Sequence, residues 1–195
     1  MDKVRYFDHA ATTYVKDEVL KEMIPYFGLN YGNPSSIYTI GRHNKAAIDH
    51  AREQVAKAIG AKSPKEIYFT GCGSESDNLA IKGVAYANKD KGNHIIATKI
   101  EHHAVLGACE TLEKEGFRVT YLNVDKYGKI NLSELENSIT DKTILISIMT
   151  ANNEIGTIEP IKEIGEIAKR HRVYFHTDSV QAVRKFKNKC TKRQY

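Results

Sequence analysis

A chain of 195 residues, 41% apolar and 27% charged, has the size and composition of one ordinary globular domain with at most a short extra lobe. Its formal charge of +5 is concentrated at one end: residues 184–195 hold six basic residues and no acid, so residues 1–183 sum to −1 (+5 less 6) and carry no nucleic-acid signature. No apolar run approaches a membrane span, the charged start Met1-Asp2-Lys3 does not read as a signal peptide, and Cys72, Cys109 and Cys190 fit neither a zinc motif nor a disulfide framework, so a reducing cytoplasm is the expected compartment.

In chain order, Val4-Arg5-Tyr6-Phe7 is a short extended piece, followed by a small, polar loop from Asp8 to Thr13. Val19, Leu20, Met23, Ile24 and Phe27 recur at helical spacing, which predicts a helix over Asp17 to Phe27. Glycine, asparagine and proline punctuate 28–36. A long helix is predicted from Gly41 to Ile59, with Ala47, Ile48, Ala51, Val55 and Ile59 as its buried stripe and Gly60 placed to end it. From there strands and helices alternate. The predicted strands are Ile67 to Phe69, His94 to Thr98, Arg118 to Leu122, Thr143 to Met149 and Val173 to Phe175. The intervening helices run through Leu79, Ala80, Val84 and Ala87, then Ala104 to Glu115, Leu132 to Ile139 and Ile161 to Lys169. The segment Thr143 to Met149 is almost wholly apolar, as a parallel strand covered on both faces should be. The pattern predicts an α/β fold: a mainly parallel sheet with helices on both faces.

In such a sheet the loops after the strands build the site. The loop Thr70-Gly71-Cys72-Gly73-Ser74-Glu75-Ser76-Asp77-Asn78 has two glycines, hydroxyls and a helix start, which suit a phosphate. Many α/β proteins turn this way without binding anything. Ser74 three before Asp77 reads as an N-cap pairing. After the next strand, His102 and His103 offer a ring to stack or to shuttle a proton, or simply a helix cap. Asn152 and Asn153 offer amides to a ring oxygen or carboxylate, or serve a turn. The last strand ends in His176-Thr177-Asp178-Ser179-Val180-Gln181. There Asp178 either caps a turn or meets a cation such as the protonated ring nitrogen of pyridoxal phosphate (PLP). Together these loops supply a phosphate cradle, a stacking ring, an amide, an acid and a second amide at one sheet edge.

The stretches Tyr6 to Thr13, Gly32 to Ser36, Glu75 to Gly83, Glu101 to Leu106, Asn152 to Thr157 and His176 to Val183 closely resemble the N-terminal part of the NifS-like cysteine desulfurases, PLP enzymes of the class V aminotransferase family with fold type I. The resemblance is almost continuous from Val4 to Val183. It implies that residues 1–15 belong to the small lobe, that 16–183 form a partial PLP-binding large domain, and that 184–195 are a non-homologous basic tail. It implies that Gly73 and Ser74 hold the PLP phosphate and that His102 stacks on the ring and assists proton transfer, which makes it the expected catalytic residue. It further implies that Asn153 lies beside ring and substrate, that Asp178 pairs with the ring nitrogen, and that Gln181 donates to the ring hydroxyl. His103 would face away. Where the family commonly has Ser-Gly-Gly-Thr or Ser-Gly-Ala-Thr, this chain has Gly71-Cys72-Gly73-Ser74, which keeps the hydroxyl.

The family converts L-cysteine to L-alanine and passes sulfur through an enzyme cysteine to a scaffold protein for iron–sulfur cluster or thio-cofactor assembly, as a cytoplasmic homodimer. No nucleic acid, membrane or metal is implied. The resemblance stops at Val183, before the family's PLP lysine and nucleophilic cysteine. The following Arg184-Lys185-Phe186-Lys187-Asn188-Lys189-Cys190 has no core pattern, so a truncated member is expected, inactive or nearly so. Lys185 and Cys190 are not expected to replace the two catalytic residues. Seven strands are implied for the intact sheet, so here the strand at Ile67 to Phe69 is expected to lack neighbours, the last strand to expose an apolar edge, and the Gly71–Ser74 loop to be poorly anchored. The alternative is a catalytically dead fragment or pseudoenzyme that at most binds PLP noncovalently or a full-length homologue. A selenocysteine lyase of the same superfamily fits the motifs less well.

Overall fold

The computed structural model describes residues 5–183. Lys185, Cys190 and the basic tail lie outside the described residues. The chain divides into two compact units that meet in sequence between Phe69 and Thr70.

In the first unit, helix α1 spans Asp17–Met23 and runs into a 3-10 turn, Ile24–Phe27, where Pro25 occupies the first turn. Helix α2 spans Thr39–Ile59 and ends on Gly60 in the left-handed conformation (φ 76°), as its sequence predicts. The start of α2 is packed tightly against the loop before it. A Cβ on the buried Gly41 would lie 2.5 Å from the Ser36 carbonyl oxygen and 2.7 Å from that of Asn33. Within the unit the predicted α2 stripe is not a core face. Ala47 and Ala51 are half-buried, while Ile48, Val55 and Ile59 are exposed, and Ala56 is the buried apolar residue of the helix. Ile67 to Phe69 is also not a strand: Ile67 is buried, Tyr68 and Phe69 are exposed, and the segment pairs with no strand among the described residues. A strand exists only through its ladder, and β-propensity alone does not supply one.

The second unit is the sheet. Helix α3 (Gly73–Ala87) precedes strand β1 (His94–Thr98). Then come α4 (His103–Lys114), β2 (Arg118–Leu122), α5 (Leu132–Ser138), β3 (Thr143–Ser147), α6 (Ile161–His171) and β4 (Tyr174–His176). The four strands are all parallel, in the order β2-β1-β3-β4. Side chains alternate across a strand, and that alternation builds two cores. Ile95, Ala97 and Leu145 point to one face, against Ile81 and Ala85 of α3 and Val105, Ala108, Cys109 and Leu112 of α4. Ile96, Ile146 and Ile148 point to the other, against Leu135 of α5 and Ile164, Ile167 and Ala168 of α6. The helices therefore cover both faces, as predicted, and β1 and β3 are buried at every residue. Strand β3 stops two residues short of the predicted Met149, and β4 lies one residue later than predicted.

Candidate functional site

The site is assembled where β1, β3 and β4 end and α3 begins, all within the second unit. Strand direction dictates this, because every parallel strand delivers its following loop to the same edge.

Helix α3 starts at Gly73, with Cys72 extended at its N-cap (φ −165°). The predicted Ser74–Asp77 capping pair does not form. Glu75 instead reaches back to accept a 2.6 Å hydrogen bond from the Gly71 N–H, and the Thr70 and Ser76 hydroxyls meet at 2.6 Å. The loop thus carries its own braces, contrary to the expectation of a poorly anchored cradle. Gly73 and Ser74, both exposed, leave their N–H groups at the positive end of a 15-residue helix. A Cβ on Gly73 would lie 3.5 Å from Val180 Cγ2, so this helix start and the turn after β4 are side by side.

Asp77 is turned inward because it shares a face with Ile81 and Ala85, four and eight residues on. It is buried and its Oδ1 stands 3.6 Å from His176 Nε2. Burial pushes the Asp77 carboxyl up to about 6; the charge of Asp178 adds to the rise and His102 opposes it. The His176 ring is held below its ordinary value by burial, with Asp178 opposing, and its Nδ1 is 2.9 Å from Ser147 Oγ.

His102 is the N-cap of α4: its Nδ1 accepts a 3.1 Å hydrogen bond from the Ala104 N–H, so that nitrogen carries no proton. The capping alternative is therefore met, and the ring, which is exposed, keeps its face and Nε2 for other partners. His103 is the first residue of α4, its ring inclined 60° to that of His102.

The asparagine pair divides its labour. Asn152 is structural: its Oδ1 accepts from the Glu154 and Ile155 N–H groups at 2.8 and 3.0 Å, and its Nδ2 donates to the Ile100 carbonyl at 2.9 Å. Asn153 is half-buried. After β4, Asp178 Oδ1 accepts from the Val180 N–H at 2.9 Å, while the Asp178 carbonyl accepts from the Thr150 N–H at 2.8 Å. The Asp178 turn predicted from sequence thus forms and is tied to the end of β3. The Thr150 hydroxyl adds bonds to Thr177 (2.9 Å) and Ser179 (2.8 Å). Gln181 is half-buried in the same turn.

Glu101 and the Asp77–His176 pair were not singled out from sequence. The i, i+4, i+8 spacing of Asp77, Ile81 and Ala85 is the signal that marks Asp77 as inward-facing; Glu101, in an irregular loop, has no such signal. The arrangement suits PLP on two counts. The helix start is a place for a dianionic phosphate. The charge of Asp178 adds to the raised proton affinity of both Asp77 and Glu101, and a cationic ring nitrogen at Asp178 would offset that charge.

Comparison with known proteins agrees. The family described as Aminotransferase class-V matches residues 5–194. The chain is 61% identical over 183 residues to cysteine desulfurase IscS of Clostridium botulinum, covering 94% of this chain and 46% of that protein. It is 62% identical to cysteine desulfurase IscS of Methanosarcina thermophila, covering 93% and 45%. The solved structure of a NifS-like protein superposes with a TM-score of 0.88 at 44% identity, over 91% of this chain and 49% of that one. A structure described as SspA in complex with cysteine gives a TM-score of 0.88 at 43% identity, over 92% and 51%. The chain spans about half the length of the curated relatives it matches. It belongs to the class-V aminotransferase family, and its matched relatives there are cysteine desulfurases.

Proposed function

We propose that residues 16–183 form the cofactor-binding part of a PLP-dependent cysteine desulfurase, with residues 1–15 contributing to its small lobe. The observation that carries this reading is the meeting of the α3 start with the loops after β1, β3 and β4, with Gly73 and Val180 in contact range. Bound PLP would supply an electron sink for the carbon next to the substrate amine. The chain's own residues would do the rest. The Gly73 and Ser74 N–H groups and the Ser74 hydroxyl hold the phosphate. His102 covers one face of the ring and offers Nε2 for a proton. Asn153 orients the ring and substrate, Gln181 donates to the ring hydroxyl, and Asp178 keeps the ring nitrogen protonated. The substrate class is L-cysteine. In this reading the full enzyme is a cytoplasmic homodimer that hands sulfur to a scaffold protein. Among the described residues no helix is long and apolar enough to cross a membrane.

The lysine and nucleophilic cysteine of turnover are placed by resemblance beyond residue 183, so cofactor retention is the test suited to these 195 residues. The purified chain is mixed with PLP and its absorbance recorded before and after borohydride. Retention through gel filtration, reduced about tenfold or more in affinity by Asp178→Asn, is the expected result. Equal retention by wild type and Asp178→Asn, or none by either, would sink the reading. A band near ~420 nm that borohydride fixes covalently would instead assign a lysine of this chain to the cofactor. A second reading, a non-catalytic fragment that pairs with a full-length homologue, is favoured by the apolar side chains exposed along α1 and α2, including Val19, Leu20, Ile48 and Val55. Co-elution with a full-length relative separates the two.

A further inference from the structure

We propose that Glu101 is a positioning residue for His102, acting by bracing the loop after β1 against the end of β3. This deepens the proposed function and rests on it for the role of His102, but the brace itself is a property of the chain alone.

Three contacts define it. Glu101 is 5% exposed, and its Oε1 takes two hydrogen bonds, from the Thr98 hydroxyl at 2.6 Å and from the Met149 N–H at 3.0 Å. Thr98 is the last residue of β1 and Met149 lies two beyond the last residue of β3, so one oxygen ties two neighbouring strand ends. One residue earlier, Ile100 receives the Asn152 amide at 2.9 Å. The loop that carries His102 is therefore pinned on two sides to the loop that carries Asn153. Side chains aligned for chemistry need such support from locked neighbours.

The second oxygen shows what kind of brace this is. Glu101 Oε2 is buried without a hydrogen-bond partner. An ionised carboxylate with a bare buried oxygen would be costly. Burial pushes this group up to about 7, the Thr98 and Met149 hydrogen bonds oppose the rise, and the charges of Asp178 and Glu159 add to it. Around it, then, stand Asp178 from the turn after β4, Glu159 ahead of α6, and the buried Cys109 thiol of α4, whose own value Glu101 helps to raise. None of these supplies a positive charge. Below about pH 7 the acid is mainly neutral, with the proton on the otherwise bare Oε2, and Oε1 remains a plain acceptor for both strand ends.

A neutral acid of this shape is matched by glutamine, whose amide oxygen accepts the same two bonds. That gives the test. Ring-nitrogen NMR of the full chain reads the His102 tautomer, with Nδ1 bare in the wild type. Glu101→Ala is expected to lose that signature while amides of α5 and α6 keep theirs, and Glu101→Gln is expected to retain it. Should Glu101→Ala fail to fold, Thr98→Val removes one strand end from the brace and reports on the same signals. The Met149 amide proton supplies a second readout that simple packing would not move: its shift should step as pH passes about 7 in the wild type and not in Glu101→Gln. His102 signals unchanged in both Glu101→Ala and Thr98→Val overturn the proposal, as does a Met149 step that survives in Glu101→Gln. These measurements use no cofactor. Wild-type chain that fails to hold PLP would therefore count against the proposed function and leave the brace to be judged on its own signals.

Discussion

The two units use the same kind of sequence to different ends. In 70–183 the apolar residues that face the sheet or its helices are buried: Ile81, Ile95, Ile96, Leu112 and Leu135 have no exposed surface, although Leu79 on the other side of α3 is 57% exposed. In 5–69, equally regular spacing leaves Val19 at 49%, Ile24 at 57% and Phe27 at 81% exposure within the described chain. Periodicity decides that a segment is a helix and which side of it is apolar. It does not decide that the apolar side is covered, because burial needs a second surface. The sheet unit brings its own: each helix finds a strand face made by residues close to it in sequence. The first unit has helices and turns but no sheet among its described residues, so its apolar faces have little of their own to lie against.

This contrast can be broken by substitution. The largest effect is expected from Ile96→Ala. It removes a side chain with no exposed surface from the core between the sheet and α5 and α6, at a cost of about 2–5 kcal/mol in urea unfolding followed by second-unit amide exchange. A smaller value, below about 1 kcal/mol, would mean that the sheet unit is no better packed than the first.

Next comes a pH effect confined to the second unit. Asp77 has a folded value raised from 3.8 to about 6, so its contribution to stability is fully present below pH 3.8 and is lost as pH rises through 6. Asp77→Asn removes that loss. The variant should match wild type at pH 3.5 and exceed it by about 2 kcal/mol near pH 7, with the difference opening between. A constant offset at all pH values would show that the Asp77–His176 contact, not ionisation, dominates there. The smallest effect is expected in the first unit. Val55→Ala trims a side chain that is already exposed and gains helix propensity, so stability should stay within about 0.5 kcal/mol of wild type. A cost like that of Ile96→Ala would show that Val55 is covered in solution, and the contrast between the units would vanish.

Much of the second unit was legible because its elements are locally determined. Gly116 closes α4 at φ 93°, Asn131 caps α5 through the Ser133 and Glu134 N–H groups, and the alternation of β1 matches its two faces. Legibility fails where pairing or direction is decided elsewhere. Ile67 to Phe69 has strand composition and finds no strand beside it among the described residues. Ser74 and Asp77 have capping spacing, but the inward face of α3 claims Asp77 and Glu75 supplies the reach-back bond. Which asparagine of a pair is structural depends on the Ile100 carbonyl, 52 residues away in sequence, and no local pattern records it. Glu101 is hidden for the same reason, since Met149 is 48 residues away.

The strand order has a consequence for how the sheet forms. Pairing of β1 with β2 joins His94 to Arg118, 24 positions on, whereas β1 with β3 joins His94 to Thr143, 49 positions on. Doubling a loop costs about 0.6 kcal/mol more in closure entropy, so the β1–α4–β2 crossover is the cheaper first step. Once β2 is docked, it shortens the effective loop to β3, and β4 then adds across only 29 positions, from Leu145 to Tyr174. Assembly is thus expected to proceed outward from β1, with the Asp178 turn arriving last, onto a platform whose Glu101 and Asn152 ties are already in reach.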